Sequence, residues 1–356
     1  MSAREIGSEF ELDPALPGPS SDPGEHWSRA PDTTAFASGR EALRALLQSS
    51  GRSRLVLPAY LCDSVEQAAP HDWDVIYVDV DECLGPRPDA LAAVLEVAPR
   101  RTVVVRVQVF GLPPGRQVAS VLDEAEEQGV LVVEDRTHAF LGPAHSRRPT
   151  FASARKWLAL PDGGVLHGWT GLAEPPPASS RFARARRDAL VAKWRFLNEG
   201  VGEKSDYLSV LGSAEESLDS ELSVRGMSDD SRALLASADL DAIAQTRWAN
   251  YSRLRAALES APWAEQLVPI ERTPPATPPL GLPVLSPRRD ALRRFLIDND
   301  VFCPVHWPLP ERVTPEAHPV AHRIQSRSLT LVIDQRYGTQ DMDRVSALLD
   351  EFHGAA

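Results

Sequence analysis

Four short Val- and Ile-rich runs constrain this chain more than anything else in it: RLVLPAY (54–60), DVIYVDVD (74–81), TVVVRVQVF (102–110) and VLVVEDR (130–136). Each has strand length, and runs such as Val103–Val105 are continuous rather than alternating, as in strands covered on both faces. Amphipathic stretches alternate with them. GREALRALLQSS (39–50) puts Ala42, Leu43, Leu46 and Leu47 on one helical face after the start signal FAS, and PDALAAVLEVA (88–98) and QVASVLDEAEEQG (117–129) follow the same pattern. Strands alternating with helices predict an α/β fold with a mostly parallel, doubly wound sheet. In such a sheet ligands sit beyond the carboxyl ends of the strands.

The rest of the 356 residues frames this unit. Residues 1–30 are rich in Pro, Gly, Ser and acids and predict an extended N-terminal arm. A Pro-rich break at 174–178 leads into a long helical region through about 258, and a second Pro cluster spans 272–283. The last segment reads as strand 279–285, helix 288–300, strands VFCPVHW and SLTLVID, and helix QDMDRVSALLDEF, a small C-terminal α+β unit. The expected domains are therefore 1–30, 31–245 (large) and 246–356 (small).

Composition excludes some classes of function. With 43% hydrophobic residues and a net charge of −12, the chain reads as globular and is poorly suited to nucleic acid or an anionic membrane surface. The three cysteines lack metal-site or disulfide spacing, there is no apolar run of spanning length, and the first residues lack a secretory apolar core, so a cytoplasmic protein is expected. No GxGxxG or P-loop pattern occurs. His318 and His322 are spaced i, i+4 around Pro319 in a loop-like stretch, where solvated histidines are the plain expectation and no metal is expected.

Lysine is almost absent: of 38 basic residues all but Lys156, Lys193 and Lys204 are arginine. Arginine replaces lysine on a surface but cannot lose its proton to form an imine, so each remaining lysine is a candidate for amine chemistry. Lys156 lies in SARKWLALPDGG (153–164). The S-x-x-K spacing also occurs in serine acylases, but the SDN and KTG companions are missing. Three other segments fall at predicted strand ends or helix starts. FASGREAL (36–43) offers Ser38, Gly39 and Arg40 for a phosphate at a helix N-terminus. LPAYLCDSV (57–65) offers Tyr60 to stack on a planar ring. VVVEDRTHAF ends a strand with Asp135, followed by His138; a buried acid there needs either an arginine or a protonated ring nitrogen. A phosphate site, a stacking aromatic, an acid and an amine are together what pyridoxal 5'-phosphate requires.

On these segments, with VHWPLP and LTLVIDQRYGTQDMDRV near the C-terminus, the chain resembles the sugar aminotransferase (DegT/DnrJ/StrS) family of fold-type-I pyridoxal-phosphate enzymes. The D-x-x-H of Asp135 and His138 and the lysine followed by L-x-x-x-D-G-G carry the resemblance most specifically. It implies a PLP-dependent transferase fold, with Lys156 forming the internal aldimine and Asp135 on the pyridinium nitrogen. It also implies His138 against the ring, and Ser38, Gly39 and Ser153 on the phosphate. His306 and Arg225 become substrate candidates, and Arg336 joins Arg225 as a candidate for the donor carboxylate. Phe151 stands where many members have a phosphate-binding serine, and their Asn-Tyr-Arg-Met element is reduced to SVRGMS (223–228). The implied activity is transfer of an amino group from an amino acid to a keto-sugar or related secondary-metabolite precursor, in a homodimer. Another PLP reaction (dehydration, cyclisation or oxidation of an amino acid) and a catalytically silent relative are the alternatives.

Overall fold

The computed structural model describes residues 5–15, 25–113, 115–143, 147–172, 180–220, 223–271 and 275–354. The Pro-rich break at 174–178, residues 16–24 of the arm and residues 272–274 lie outside them. The chain begins with a two-residue strand, β1 (Ile6–Gly7). A seven-stranded sheet follows, built from β2 (Thr33–Phe36), β3 (Arg54–Pro58), β4 (Asp74–Val78), β5 (Thr102–Val107), β6 (Leu131–Asp135), β7 (Thr150–Ser153) and β8 (Gly164–His167). Its order is β2-β8-β7-β6-β5-β3-β4. All neighbours pair in parallel except at β8, which is antiparallel to both β2 and β7.

Two-sided burial explains the continuous apolar runs. Val103 and Val105 pack with Leu43, Leu46 and Leu47 of α1 (Gly39–Ser49). Val104 points the other way, toward Leu91 of α3 (Pro88–Leu95) and Leu122 of α4 (Arg116–Glu127). Each such side chain contributes roughly 1.5–3 kcal/mol on burial. A short helix, α2 (Asp63–Glu66), follows β3.

The helical region consists of α5 (Ser180–Glu199), α6 (Lys204–Ser220), α7 (Asp229–Ser237) and α8 (Leu240–Ser260). The boundary expected at 245/246 falls inside α8, which joins two cores. Leu240 packs with Trp157 of the large unit, whereas Tyr251, Leu254 and Leu258 belong to the small one. The small unit has an antiparallel sheet of β9 (Val268–Pro269), β10 (Leu282–Leu285) and β12 (Ser328–Leu331), with α9 (Arg289–Asp298) and α11 (Thr339–Gly354) packed on it.

Three expectations change. The arm has a defined place: β1 pairs in parallel with β11 (Val301–Phe302), and Ile6 is fully buried among small-unit residues. VFCPVHW forms a strand only over β11, since Pro304 and Pro308 bring no N–H to a ladder. His318 and His322 are not loop residues: Pro319 opens α10 (Pro319–Gln325), where its missing N–H costs nothing. His318 is buried at the N-cap, and a ring nitrogen of His322 lies 2.8 Å from the Val313 carbonyl.

Candidate active site

Parallel β5, β6 and β7 end side by side, so Asp135 and Ser153 reach the same edge of the sheet. Beyond Ser153 a 3₁₀ turn, Ala154–Lys156, carries the lysine. The turn is anchored by the next residue: Trp157 is fully buried and its Nε1 donates to the Thr137 carbonyl at 2.6 Å. Lys156 Nζ then lies 3.4 Å from His138 Nε2 and 5.5 Å from the Trp307 ring centre.

The arginine partner considered for Asp135 is not found among the described residues. Arg106 pairs with Glu134 at 2.5 Å, on the other face of β6, and Asp135 forms no ion pair among the described residues. Asp135 instead accepts the Thr137 N–H at 2.8 Å. Burial pushes its carboxyl above the usual range, against the Thr137 hydrogen bonds and the Lys156 charge. His138 is buried too. Desolvation first, then the charge of Lys156, hold its pKa well below the ordinary value, so the ring is neutral. Phe110, Trp307 and His306 surround it with ring centres 5.1–5.3 Å away.

Asp135, Thr137, His138, Ser153, Lys156 and Trp307 line a cavity of about 310 Å³ together with Ser38, Gly39 and Arg40. Ser38 caps α1, its Oγ accepting the Glu41 N–H and donating to the Glu41 carboxylate at 2.8 Å. The N–H groups of Gly39 and Arg40 lie in the first helical turn, where no intrahelical acceptor exists. The DGG motif wedges this helix start against the sheet. Asp162 accepts from Ser228 Oγ at 2.6 Å, and Gly163, at φ +151°, donates to the Ala37 carbonyl at 2.8 Å. A Cβ on Gly164 would stand 2.1 Å from the Ser38 carbonyl carbon.

A second cavity, of about 620 Å³, shares Ser153, Arg155 and Lys156 with the first and extends toward the small unit. His306 lines it, with Nδ1 2.8 Å from Thr330 Oγ1, and burial pushes its pKa down to about 3. The arm residues Gly7 to Phe10 wall it. Arg155, between Ser153 and Lys156, pairs with Glu215 of α6 at 2.8 Å.

Two expected site residues are elsewhere. Tyr60 does not reach the cavity of Asp135. Its fully buried side chain turns toward the small unit, with the hydroxyl donating to the His306 carbonyl and lying 3.0 Å from Ser328 Oγ. Cys62 and Trp307 line the cavity instead. Arg225 lines neither cavity; its Nε pairs with buried Glu41 at 2.8 Å, bracing the start of α1. Arg336 lines the larger cavity but is held by Asp334 at 2.8 Å and Glu11 at 2.9 Å. Sequence reasoning missed Thr137, although Asp followed two residues later by Thr is a common side-chain-to-backbone turn. It also missed Trp307, although VHWPLP, the segment that holds it, carried part of the resemblance.

Residues 25–150 match the model of the DegT/DnrJ/EryC1/StrS aminotransferase family; the match includes Asp135 and His138 and ends before Lys156. No curated protein matches the chain. Among solved structures, the chain resembles the aminotransferase TlmJ from Streptoalloteichus hindustanus at 20% identity and a TM-score of 0.64, over 91% of this chain and 86% of that one. DesV of S. venezuelae gives 18% and 0.62, over 90% and 84%. Spr1654 of Streptococcus pneumoniae in its PLP form gives 15% and 0.64, over 90% and 86%. Residues 25–150 thus resemble the DegT/DnrJ/EryC1/StrS aminotransferases, and the fold of solved aminotransferases extends over nine-tenths of the chain's length.

Proposed function

We propose that the protein is a pyridoxal-phosphate-dependent aminotransferase that moves an amino group from an amino-acid donor to a keto-sugar or related secondary-metabolite precursor. One observation carries this reading: Asp135, a buried carboxylate without an ion-pair partner among the described residues, lines one cavity with Lys156 and an open helix start. These residues fit the cofactor. Asp135 calls for a cationic hydrogen-bond donor, which a protonated ring nitrogen supplies. The first turn of α1, with Ser38 and Ser153, suits a phosphate. His138 offers a neutral ring to pack against a planar one.

When bound, the cofactor supplies an aldehyde that exchanges amino groups and a ring that takes up an electron pair. Lys156 is the amine that would attach to it at rest and, when free, act as general base at the substrate carbon. Its turn is fixed by buried Trp157, so the amine moves about a defined base. Asp135 would hold the proton on the cofactor's ring nitrogen. The family's homodimeric assembly and a cytoplasmic location are expected for this chain; no helix among the described residues is long and apolar enough to cross a membrane.

Absorbance of the loaded protein tests the reading. A visible band should vanish in Lys156→Ala, and amino donors should convert it to the pyridoxamine form. In Asp135→Asn that conversion should slow roughly 10²-fold or more. A band unchanged by Lys156→Ala, or no conversion by any common donor, would reject the proposal.

A further inference from the structure

Where α8 passes from the Trp157 core to the core of the small unit, it carries Arg247. The residue is 1% exposed, and its guanidinium stacks on the Trp157 ring at 4.4 Å. Nε donates to Gln335 Oε1 and Nη1 to the Leu280 carbonyl, both at 2.9 Å. The same Gln335 donates from Nε2 to the Trp157 carbonyl at 2.6 Å. One amide thus orients both the arginine and the residue that anchors the Lys156 turn. Arg247 lines the larger cavity, as do Lys156 and His306.

The other arginines of this cavity have acids. Arg155 and Arg186 share Glu215, and Arg336 has Asp334 and Glu11, while Arg293 is exposed. Arg247 makes no ion pair among the described residues, and Nη2 takes part in neither of its hydrogen bonds. Burial, opposed by Asp334 and reinforced by Arg336, brings its pKa down to about 10. A fully buried guanidinium without an ion pair of its own is costly, and an entering anion would relieve that cost. With a flat indole beneath it and two of its nitrogens fixed, the guanidinium presents one planar edge, the shape that a carboxylate matches with two parallel hydrogen bonds.

We propose that Arg247 is the carboxylate anchor of this cavity, holding the donor amino acid with its amino group toward Lys156. The assignment rests on the aminotransferase reading and names the residue that the reading left open.

Maleate, a dicarboxylate without an amine, tests it by calorimetric titration of the loaded protein. The wild type should bind maleate, Arg247→Gln should bind it at least about 30-fold more weakly, and Arg247→Lys about 10-fold more weakly, with the visible band retained. Equal affinity in the wild type and a folded variant overturns the proposal, as does a wild type that ignores maleate. If neither variant folds, maleate is compared with maleamide, its uncharged analogue, on the wild type, and equal affinity again overturns it. A wild type without a lysine-dependent band instead rejects the aminotransferase reading. The anchor is then judged by maleate titration of the cofactor-free wild type and variants, with the same outcomes.

Discussion

Gly164→Ala is the sharpest test of how the helix start is held. The added Cβ would lie 2.1 Å from both the carbonyl carbon and oxygen of Ser38 and 2.4 Å from the Gly39 nitrogen. Ordinary contact begins near 3.4 Å, so the deficit is roughly 1.3 Å. All three atoms are backbone, and no rotamer change relieves the clash; β8 or the start of α1 must move. Retreat is hindered on the β7 side as well, since a Cβ on Gly39 would already be 3.2 Å from the Ser153 nitrogen. Overpacking of this kind costs about 3 kcal/mol, the upper part of the usual range. A helix start displaced by about 1 Å also misdirects the Gly39 and Arg40 N–H groups, which we expect to weaken cofactor binding on the order of 10²-fold. Spectral titration with pyridoxal phosphate and urea unfolding measure the two effects. Gly212→Ala is the control: nothing lies within 4 Å of its added Cβ in α6, and it should stabilise by about 0.5–1 kcal/mol. A Gly164→Ala protein with wild-type cofactor affinity and unfolding midpoint would refute the wedge.

Two further predictions concern charge. His26, His138 and His306 all have pKa values depressed by burial, to about 4 for His26 and about 3 for His306. Below about pH 6.5 the unfolded chain takes up protons on these rings that the folded chain refuses, so their contribution to stability falls as pH falls, by at most about 1.4 kcal/mol per unit for each. Asp135 and Glu41, with raised pKa values, act in the opposite direction. The difference in acid slope between wild type and His306→Asn isolates one ring; identical slopes from pH 4 to 6.5 would contradict its burial as a neutral group. Glu5→Ala should destabilise by about 3 kcal/mol in urea unfolding, because Lys193, 0% exposed, loses its carboxylate at 3.0 Å. A wild-type midpoint would mean that the arm is not held by this pair.

The sheet was legible because strands buried on both faces must be continuously apolar, and Val103–Val105 have nowhere to place a polar group. The acid, the imidazole, the lysine and the helix start were legible because strand ends of a parallel sheet converge. Pairing of Asp135 could not be read from sequence: Glu134 and Asp135 are adjacent, and only the strand's alternation of faces decides which of them takes Arg106. Tyr60 failed as a stacking residue for a similar reason. Two positions past the end of β3 its side chain faces the small unit, whose placement depends on contacts more than two hundred residues away. Trp307 lies in a segment that carried the resemblance but points at the site only through that distant packing, and Arg247 has no local signature. The sequence of the arm predicts only an extended segment, because the core that Ile6 joins is assembled from residues beyond 250.

Lysine scarcity proves informative beyond Lys156. Lys193 and Lys204 both reach Glu5, at 3.0 and 2.8 Å, and so fix the arm whose residues 7–10 wall the larger cavity. Arginine would serve poorly in the first of these places. Lys193 is completely enclosed, and its Nζ also donates to the Glu9 carbonyl, so the site accepts a compact ammonium with donors in several directions. A planar guanidinium needs more room and a flat partner, which is what Trp157 provides for Arg247. Lys193 therefore sits where a compact cation fits, and Lys193 and Lys204 together hold the arm that walls the larger of the two cavities lined by Lys156.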